Sequence, residues 1–234
     1  MSKETQSATE GQLMLFARNG DEVCLSSGKD TPLDLPLLFG RSFKEEITLC
    51  GPFVMKTRED IINFWFTECT PEQWFKKDSE FDNMLEKRFA GTVERALAGK
   101  LDSWADSDSG CLALILLLDQ FTRNIYRDTP RAFAGDEKAL ELSFLCNKNS
   151  YLANADIHWC HFMLMPRMHS EDIAVQDVSL PLFKELNVQK VYDYAVRHRD
   201  TVARFGRFPH RNSILGRSST TEELEFLTQA DSSF

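Results

Sequence analysis

Apolar residues recur at helical spacing along the chain from Thr57 to its C-terminus. One such stripe, which ends near Gly99, consists of Phe81, Leu85, Phe89 and Val93. Spacings of three and four place side chains on one face of an α-helix, whereas the side chains of a strand alternate with a period of two. The strand period does not occur in this part of the sequence. The pattern therefore predicts a single all-α domain over residues 56–234.

Capping residues indicate where several of these helices begin. Thr57 and Thr220 each start a capping-box pattern, with an acidic residue three positions later. Thr70-Pro71 and Thr129-Pro130 have proline at a first helical position, where its missing N–H costs nothing. These starts, with the apolar run 111–126 as a buried helix, predict about eight helices.

The ends of the helices are marked by glycine and proline. Gly206 ends the stripe that contains His198, and Pro166 separates a helix ending near Met165 from one starting around Ser170, the expected N-cap. Short connections suit either an α-solenoid-like stack or an irregular α-bundle. No period of 34 residues marks a tandem repeat.

Residues 1–55 differ from the rest in being rich in Gly, Ser, Thr and Pro, and they are interpreted as an N-terminal extension. The first residues contain neither the apolar core of a signal peptide nor an Arg-rich transit pattern. The longest apolar run has eight residues, far short of the ~20 that span a bilayer. We therefore expect a cytoplasmic protein that does not interact with membranes.

Charge and cysteine content exclude further classes of function. A net charge of −9 and a pI near 5.1 disfavour nucleic-acid binding, which needs a broad basic face. Six scattered cysteines without a Cys-x-x-Cys pair indicate reduced, mostly buried thiols. His158 and His161 could form a zinc site with His169 or Glu171, but the run they lie on is crowded with large apolar side chains. We expect no metal and no cofactor.

The first polar motif lies on the helix that follows the apolar run. Asp119, Arg123 and Arg127 are four residues apart and share one helix face, with Asn124 beside them. On an exposed helix this spacing would form a ladder of salt bridges. The apolar residues upstream indicate a central helix, where charges need partners. The motif predicts a structural network, a ligand site, or both.

The second polar motif is His169-Ser-Glu171-Asp172. Ser170 and Asp172 suit the first turn of a helix, where acidic and hydroxyl side chains stabilise the free N–H groups. His169 is harder to explain in this way. With Glu171 it could form a proton-transfer pair, so both are candidate catalytic residues.

The third polar motif combines His198 with the segment Arg204–Arg217. From position 197 to 217 there are six Arg and two His against one acid, Asp200. His198 lies on an apolar stripe, which favours a core histidine bonded to a carboxylate or carbonyl, with catalysis as the alternative. Arg207, His210 and Arg211, with Asn212 next to them, could converge on one oxyanion. They could equally pair with Glu171, Asp119 or Asp136.

The three motifs together resemble those of the uncharacterised family called domain of unknown function 924. The resemblance covers about residues 58–228 and leaves residues 1–55 outside. It is carried by Phe64-Trp65-Phe66, Trp74-Phe75, Phe81-Asp82, Gly99–Trp104, Leu117–Arg127, Ala132–Asp136, His169–Asp172, Arg204–Asn212 and Leu215–Arg217. It implies a tetratricopeptide-like all-helical fold and no established activity.

Three functions remain open on this sequence. The first is a pocket in which four arginines bind a phosphate- or carboxylate-bearing small molecule: Arg123, Arg127, Arg207 and Arg211. In this pocket His169, His198 or His210 would be available as catalytic acid–base residues, for hydrolysis or group transfer if the protein is an enzyme. The second is a tetratricopeptide-like interaction module for acidic or C-terminal peptide segments. The third is a charge network that only holds the helices in register. The sequence indicates no oligomeric state.

Overall fold

The structure is a computed structural model that describes residues 56–153, 155–230 and 232. This part of the chain folds into eight helices and contains no β-strand, which confirms the all-α prediction. The prediction of an extension over residues 1–55 lies outside the described residues, and the tetratricopeptide-like arrangement stays a prediction. The helices are α1 (Arg58–Asn63, continuing as a π-helix over Phe64–Glu68), α2 (Ser79–Leu97), α3 (Asp108–Ile115, continuing as a π-helix over Leu116–Phe121 and as an α-helix over Thr122–Ile125), α4 (Asp136–Lys148), α5 (Ile157–Met168), α6 (Ile173–Glu185), α7 (Gln189–Phe205) and α8 (Thr221–Leu227).

Several boundaries agree with the capping residues in the sequence. Thr57 and Thr220 form the two expected capping boxes, with Asp60 and Glu223 as the reciprocal acids. Gly206 ends α7 with φ of +68°, a left-handed conformation that glycine adopts without steric cost. These boundaries depend only on neighbouring residues, which is why the sequence predicts them.

The predicted helix boundary at Pro166 is wrong. Pro166 lies inside α5, in its last turn, and the helix continues to Met168. Residues Phe162 to Met168 are all buried, so tertiary packing outweighs the backbone hydrogen bond that proline removes. The next helix is capped by Asp172, whose carboxylate accepts the Ala174 N–H, and not by Ser170.

Two other predicted starts form shorter structures. Thr70-Pro71 begins a turn and not a helix. Thr129-Pro130 begins a 3₁₀ helix over Pro130–Phe133, and α4 starts only after Gly135. Proline at a first helical position indicates a helical turn, but it does not determine how far the helix extends.

The central element is α3, which packs against α1, α2, α4 and α5. Every residue from Gly110 to Thr122 is buried. Aromatic rings surround its polar end: the ring of Phe121 lies 5.2 Å from that of Trp65 and 5.1 Å from that of Phe89. The sequence prediction of a central, covered helix is confirmed. A second, smaller apolar cluster lies under α6 and α7, around Leu164, Met168 and Phe183.

No helix in the described part of the chain is both long enough and apolar enough to cross a membrane. Of the six cysteines, the four that fall in this part are buried free thiols: Cys69, Cys111, Cys146 and Cys160.

Gly135 allows α4 to approach α3 closely. A Cβ atom at this position would lie 2.3 Å from the carbonyl oxygen of Leu118, a distance that atoms in folded proteins do not reach. Because Asp136 follows immediately, the close approach also carries that carboxylate to the polar end of α3. Glycine is therefore required here for packing, since its φ is negative and open to any residue.

We predict that Gly135→Ala lowers the free energy of unfolding by about 1–3 kcal/mol, because either α3 or α4 must move to accept the methyl group. Urea denaturation would measure the change. Gly91→Ala is the matched control: Gly91 is helical and a Cβ there meets no atom within 4 Å. That variant should gain about 0.5–1 kcal/mol from the better helix propensity of alanine. Equal stability of the two variants would contradict the packing argument.

Candidate functional site

A fully buried carboxylate, Asp119, forms the centre of the polar site. Its Oδ1 lies 2.9 Å from Nη1 of Arg123 and 2.7 Å from Nδ1 of His169, and the Gln120 amide donates to Oδ2. Burial would raise the pKa of Asp119, but Arg123 and His169 outweigh burial and hold it well below its usual value. Asp119 is therefore ionised at neutral pH.

The π-helical segment of α3 contributes further acceptors at this point. Carbonyls 118, 119 and 120 each accept a side-chain hydrogen bond from the residue four positions later. The donors are the Thr122 hydroxyl at 2.8 Å, the Arg123 guanidinium at 2.7 Å and the Asn124 amide at 2.8 Å. In a π-helix the carbonyl of residue i accepts its backbone hydrogen bond from the amide of residue i+5 instead of i+4. Such segments often occur at functional sites. The arrangement holds Arg123 and Asn124 against the helix.

Asp136 connects α3 to the C-terminal segment. Its carboxylate oxygens lie 2.9 and 3.0 Å from the Arg123 guanidinium and 3.4 Å from Nη1 of Arg211. Arg211 belongs to a short 3₁₀ helix, Pro209–Arg211, that follows α7. Asp119, Arg123, Asp136, His169 and Arg211 thus meet from three distant parts of the sequence, and we call them the Asp119 cluster.

Arg211 is deeply buried and poorly paired. Its side chain is 8 % exposed, and within the described part of the chain its one side-chain hydrogen bond is the 3.4 Å contact to Asp136 and its Nε has no partner. The guanidinium lies between two aromatic rings, 4.8 Å from the centre of Phe133 and 4.6 Å from that of Phe208. Burial, with the nearby charge of Arg123, lowers the pKa of Arg211 to about 10, so it remains a cation.

Three histidines lie close enough to Arg211 to feel its charge. The ring of His169 lies 6.2 Å from that of His198, and the rings of His198 and His210 lie 5.5 and 5.7 Å from that of Phe208. Nδ1 of His198 lies 2.7 Å from the carbonyl oxygen of Tyr194, the contact expected of a core histidine.

The surroundings keep all three imidazoles uncharged at neutral pH. Burial lowers the pKa of each ring. Asp119 opposes burial at His169 without cancelling it. Burial and the charge of Arg211 lower the pKa of His210 to about 4, and burial with the neighbouring His169 takes that of His198 well below its usual value.

The remaining predicted ligand residues lie in separate pairs. Arg127 contacts Asp82 of α2 at 2.6 and 2.8 Å and also donates to Asn124. Arg207 contacts Glu223 of α8 at 2.7 and 2.9 Å. The structure therefore brings Arg123 and Arg211 together and holds Arg127 and Arg207 away from them.

Glu171 joins the second and third motifs through Arg217 instead of through His169. Its oxygens lie 2.7 and 2.9 Å from the Arg217 guanidinium and accept the Phe208 N–H at 2.8 Å. Burial would raise its pKa, but these donors outweigh burial and lower it, so Glu171 is a carboxylate with its oxygens occupied. Asn212 is fully buried and donates to Ser219, which places it with the α8 contacts.

Sequence reasoning did not assign three residues that complete these contacts: Asp82, Arg217 and Phe133. Arg217 and Phe133 lie within the motifs, but the motifs do not indicate their partners. Arg217 contacts Glu171, 46 residues away, and the ring of Phe133 contacts the guanidinium groups of Arg123 and Arg211. A pairing between distant residues leaves no periodic pattern in a single sequence. Only the packing of the helices reveals it.

A cleft of about 650 Å³ lies beside this region, between the start of α6 and the end of α7. Its lining consists of Glu171, Asp172, Ile173, Val202, Ala203 and Gly206. No member of the Asp119 cluster lines it. Within the described residues, no group of three or more His, Cys, Asp or Glu side chains is arranged to hold a metal ion. His158 and His161 instead contact the aromatic side chains of Trp74, Phe75 and Phe162.

The chain belongs to the family described as bacterial protein of unknown function (DUF924), whose model matches residues 61–231. A second family model, the pirin C-terminal cupin domain, matches residues 1–65. Among solved structures, the protein of unknown function ATU0120 from Agrobacterium tumefaciens is similar, with 38% sequence identity and a TM-score of 0.69 over 73% of this chain and 96% of that chain. Comparison with curated proteins gives no match.

The Arg207–Glu223 pair generates a prediction about acid stability. Arg207 lowers the pKa of Glu223 from 4.5 to about 2, which means that the folded state favours the charged carboxylate. This contribution to stability is complete above pH 4.5 and disappears as the pH falls towards 2. We expect Glu223→Gln to be less stable than wild type at pH 7, with a difference that shrinks through this range.

Urea denaturation at a series of pH values would measure the effect. Glu222→Gln is the matched control, because the Glu222 side chain is 60% exposed and pairs with Arg204 at the surface. A constant difference between wild type and Glu223→Gln from pH 7 to pH 3 would contradict the prediction.

Proposed function

We propose that the chain binds an anionic small molecule, one that bears a phosphate or carboxylate group, at Arg211 within the Asp119 cluster. The observation that supports this most directly is the poor pairing of Arg211. Among residues 56–153, 155–230 and 232, this buried guanidinium has no hydrogen bond shorter than 3.4 Å and so lacks the partners that such a charge requires. A bound oxyanion would supply them, because carboxylate and phosphate oxygens match the fork of guanidinium donors.

Comparison with neighbouring arginines supports Arg211 as the residue that binds the anion. Arg127, Arg207 and Arg217 each make two contacts of 2.9 Å or less with one carboxylate. Their charges are neutralised within the fold, so they have little capacity left for a ligand. Arg211 is the member of this group whose donors remain available.

Three members of the cluster are partly exposed and would form the side from which an anion enters. The side chains of His169, Arg123 and Asp136 are 15, 19 and 26% exposed. An anion that enters on this side meets Arg123 first and Arg211 at greater depth, where a low dielectric strengthens the attraction.

His169 is the group suited to acid–base chemistry on such a ligand. Since Asp119 is ionised, Nδ1 of His169 must carry the hydrogen that joins them, and in the neutral ring Nε2 then holds the lone pair. A base positioned by a carboxylate is the arrangement used in hydrolysis and group transfer. If the bound anion is a substrate, we assign the base role to His169 and not to Glu171.

The interaction module for acidic or C-terminal peptides stays an alternative prediction. A peptide carboxylate would use the same guanidinium, so the chemistry of recognition is shared. The two hypotheses differ in the size of the ligand, and a panel that contains both small anions and peptides distinguishes between them.

We predict that phosphate- or carboxylate-bearing compounds raise the melting temperature of the wild-type protein and that Arg211→Met abolishes the effect. Saturation to 100 times the dissociation constant stabilises a protein by about 2.7 kcal/mol, which corresponds to several degrees. Thermal-shift measurements with sugar phosphates, nucleotides, dicarboxylates and peptides with free C-termini would identify the class.

Arg207→Met is the matched control for this experiment. Its loss leaves Glu223 buried without its cation, so the unliganded protein should melt at a lower temperature while the response to the anion persists. Arg211→Met leaves Asp136 paired with Arg123 and should change the unliganded protein less. An anion response that survives Arg211→Met would overturn the proposed site.

A further inference from the structure

The charges of the Asp119 cluster cancel before any ligand binds. Asp119 and Asp136 carry one negative charge each, and Arg123 and Arg211 carry one positive charge each. The nearby Glu171–Arg217 pair is also neutral overall. A bound dianion would therefore leave two uncompensated negative charges in a largely buried site, which is costly unless protons accompany it.

The groups around His169 can supply that compensation. The titratable and charged groups near its ring are Asp119 and Arg123 from α3, His161 from α5, His198 from α7, and His210 and Arg211 from the turn that follows α7. Asp136, at the start of α4, contacts both arginines. Nδ1 of His169 is bonded to the Asp119 carboxylate, so a positive charge on its ring would be stabilised directly by Asp119.

We propose that the ligand of this site carries a dianionic phosphoryl group and that His169 takes up a proton when the ligand binds. This inference rests on the proposed anion site. The proton adds to Nε2, since Nδ1 already donates to Asp119, and the ring becomes an imidazolium with two N–H donors. One faces Asp119 and the other is available to a phosphoryl oxygen.

A proton on His169 allows the cluster to hold a phosphoryl dianion. A monoanionic carboxylate adds one negative charge to the neutral cluster. A phosphoryl dianion adds two, and one proton on His169 reduces the addition to the same single charge. Burial supports this role, because it keeps His169 uncharged in the free protein and leaves it able to accept a proton.

Sulfate is the probe for the test, because it is a dianion that has no proton of its own to exchange near neutral pH. Isothermal titration calorimetry of the full chain with sodium sulfate, in two buffers of different ionisation enthalpy, measures the protons taken up. We expect about one proton per sulfate at pH 7, and an affinity that falls up to about tenfold per pH unit as the pH rises. Acetate is the monoanionic comparison.

His169→Asn tests the assignment to this residue. The asparagine amide can replace Nδ1–H as a donor to Asp119 but cannot take up a proton at Nε2. Proton uptake should fall to near zero, and the dependence of sulfate affinity on pH should flatten. His158→Asn is the matched control: His158 is exposed on α5, against Trp74, and its replacement should leave the proton uptake unchanged.

The outcomes separate this inference from the proposed function. Sulfate binding that requires Arg211 but takes up no proton in the wild-type protein overturns the inference and leaves the anion site standing. If acetate binds more tightly than sulfate and without proton uptake, the inference is also overturned, and the anion site stands with a carboxylate as its ligand. Absence of binding by both anions, or binding unaffected by Arg211→Met, overturns both proposals. The wild-type measurement decides even if His169→Asn does not fold.

Discussion

A buried carboxylate on the central helix sets the requirements for the polar half of this domain. Asp119 lies in the middle of α3, where every residue from Gly110 to Thr122 is buried, and an unpaired charge there would cost more than a domain of this size can tolerate. Arg123 supplies one partner from the same helix and His169 another from the end of α5. The pairing therefore determines where the segment after α5 must lie, and that segment in turn contacts the loop after α7 through Glu171.

Arg127, Arg207, Arg211 and Arg217 differ in how completely they are paired. Arg127, Arg207 and Arg217 each bind one carboxylate at short distance. The Arg207 and Arg217 pairs connect the segment after α7 to α8 and to the start of α6, which supports the structural-network hypothesis. Arg211 has one long side-chain contact and an unpartnered Nε among the residues that the structure describes. The contrast between three well-paired arginines and the buried, poorly paired Arg211 is the basis for proposing a ligand there.

Local signals in the sequence predict much of the fold and part of the site. The capping boxes at Thr57 and Thr220, the left-handed Gly206 and the apolar run before Asp119 each depend on residues within one or two turns. Pro166 and Gly135 show the limit of such signals. Packing of α5 keeps Pro166 inside a helix. Gly135 is required because a Cβ atom there would collide with the carbonyl oxygen of Leu118, and the residues next to Gly135 in the sequence do not reveal this contact.

The sequence by itself determined the all-helical class, the helix starts at Thr57 and Thr220 and which residue types would carry the polar chemistry, because helical period and capping are properties of neighbouring residues. Tertiary structure decided the partners. It paired Arg207 with Glu223, Arg127 with Asp82 and Glu171 with Arg217, and it brought Arg211 and His169 to Asp119 and Arg123. One arginine has nearly the same local chemistry as the next, and only the three-dimensional position of each carboxylate distinguishes an arginine with a close ion-pair partner from one with a single long contact.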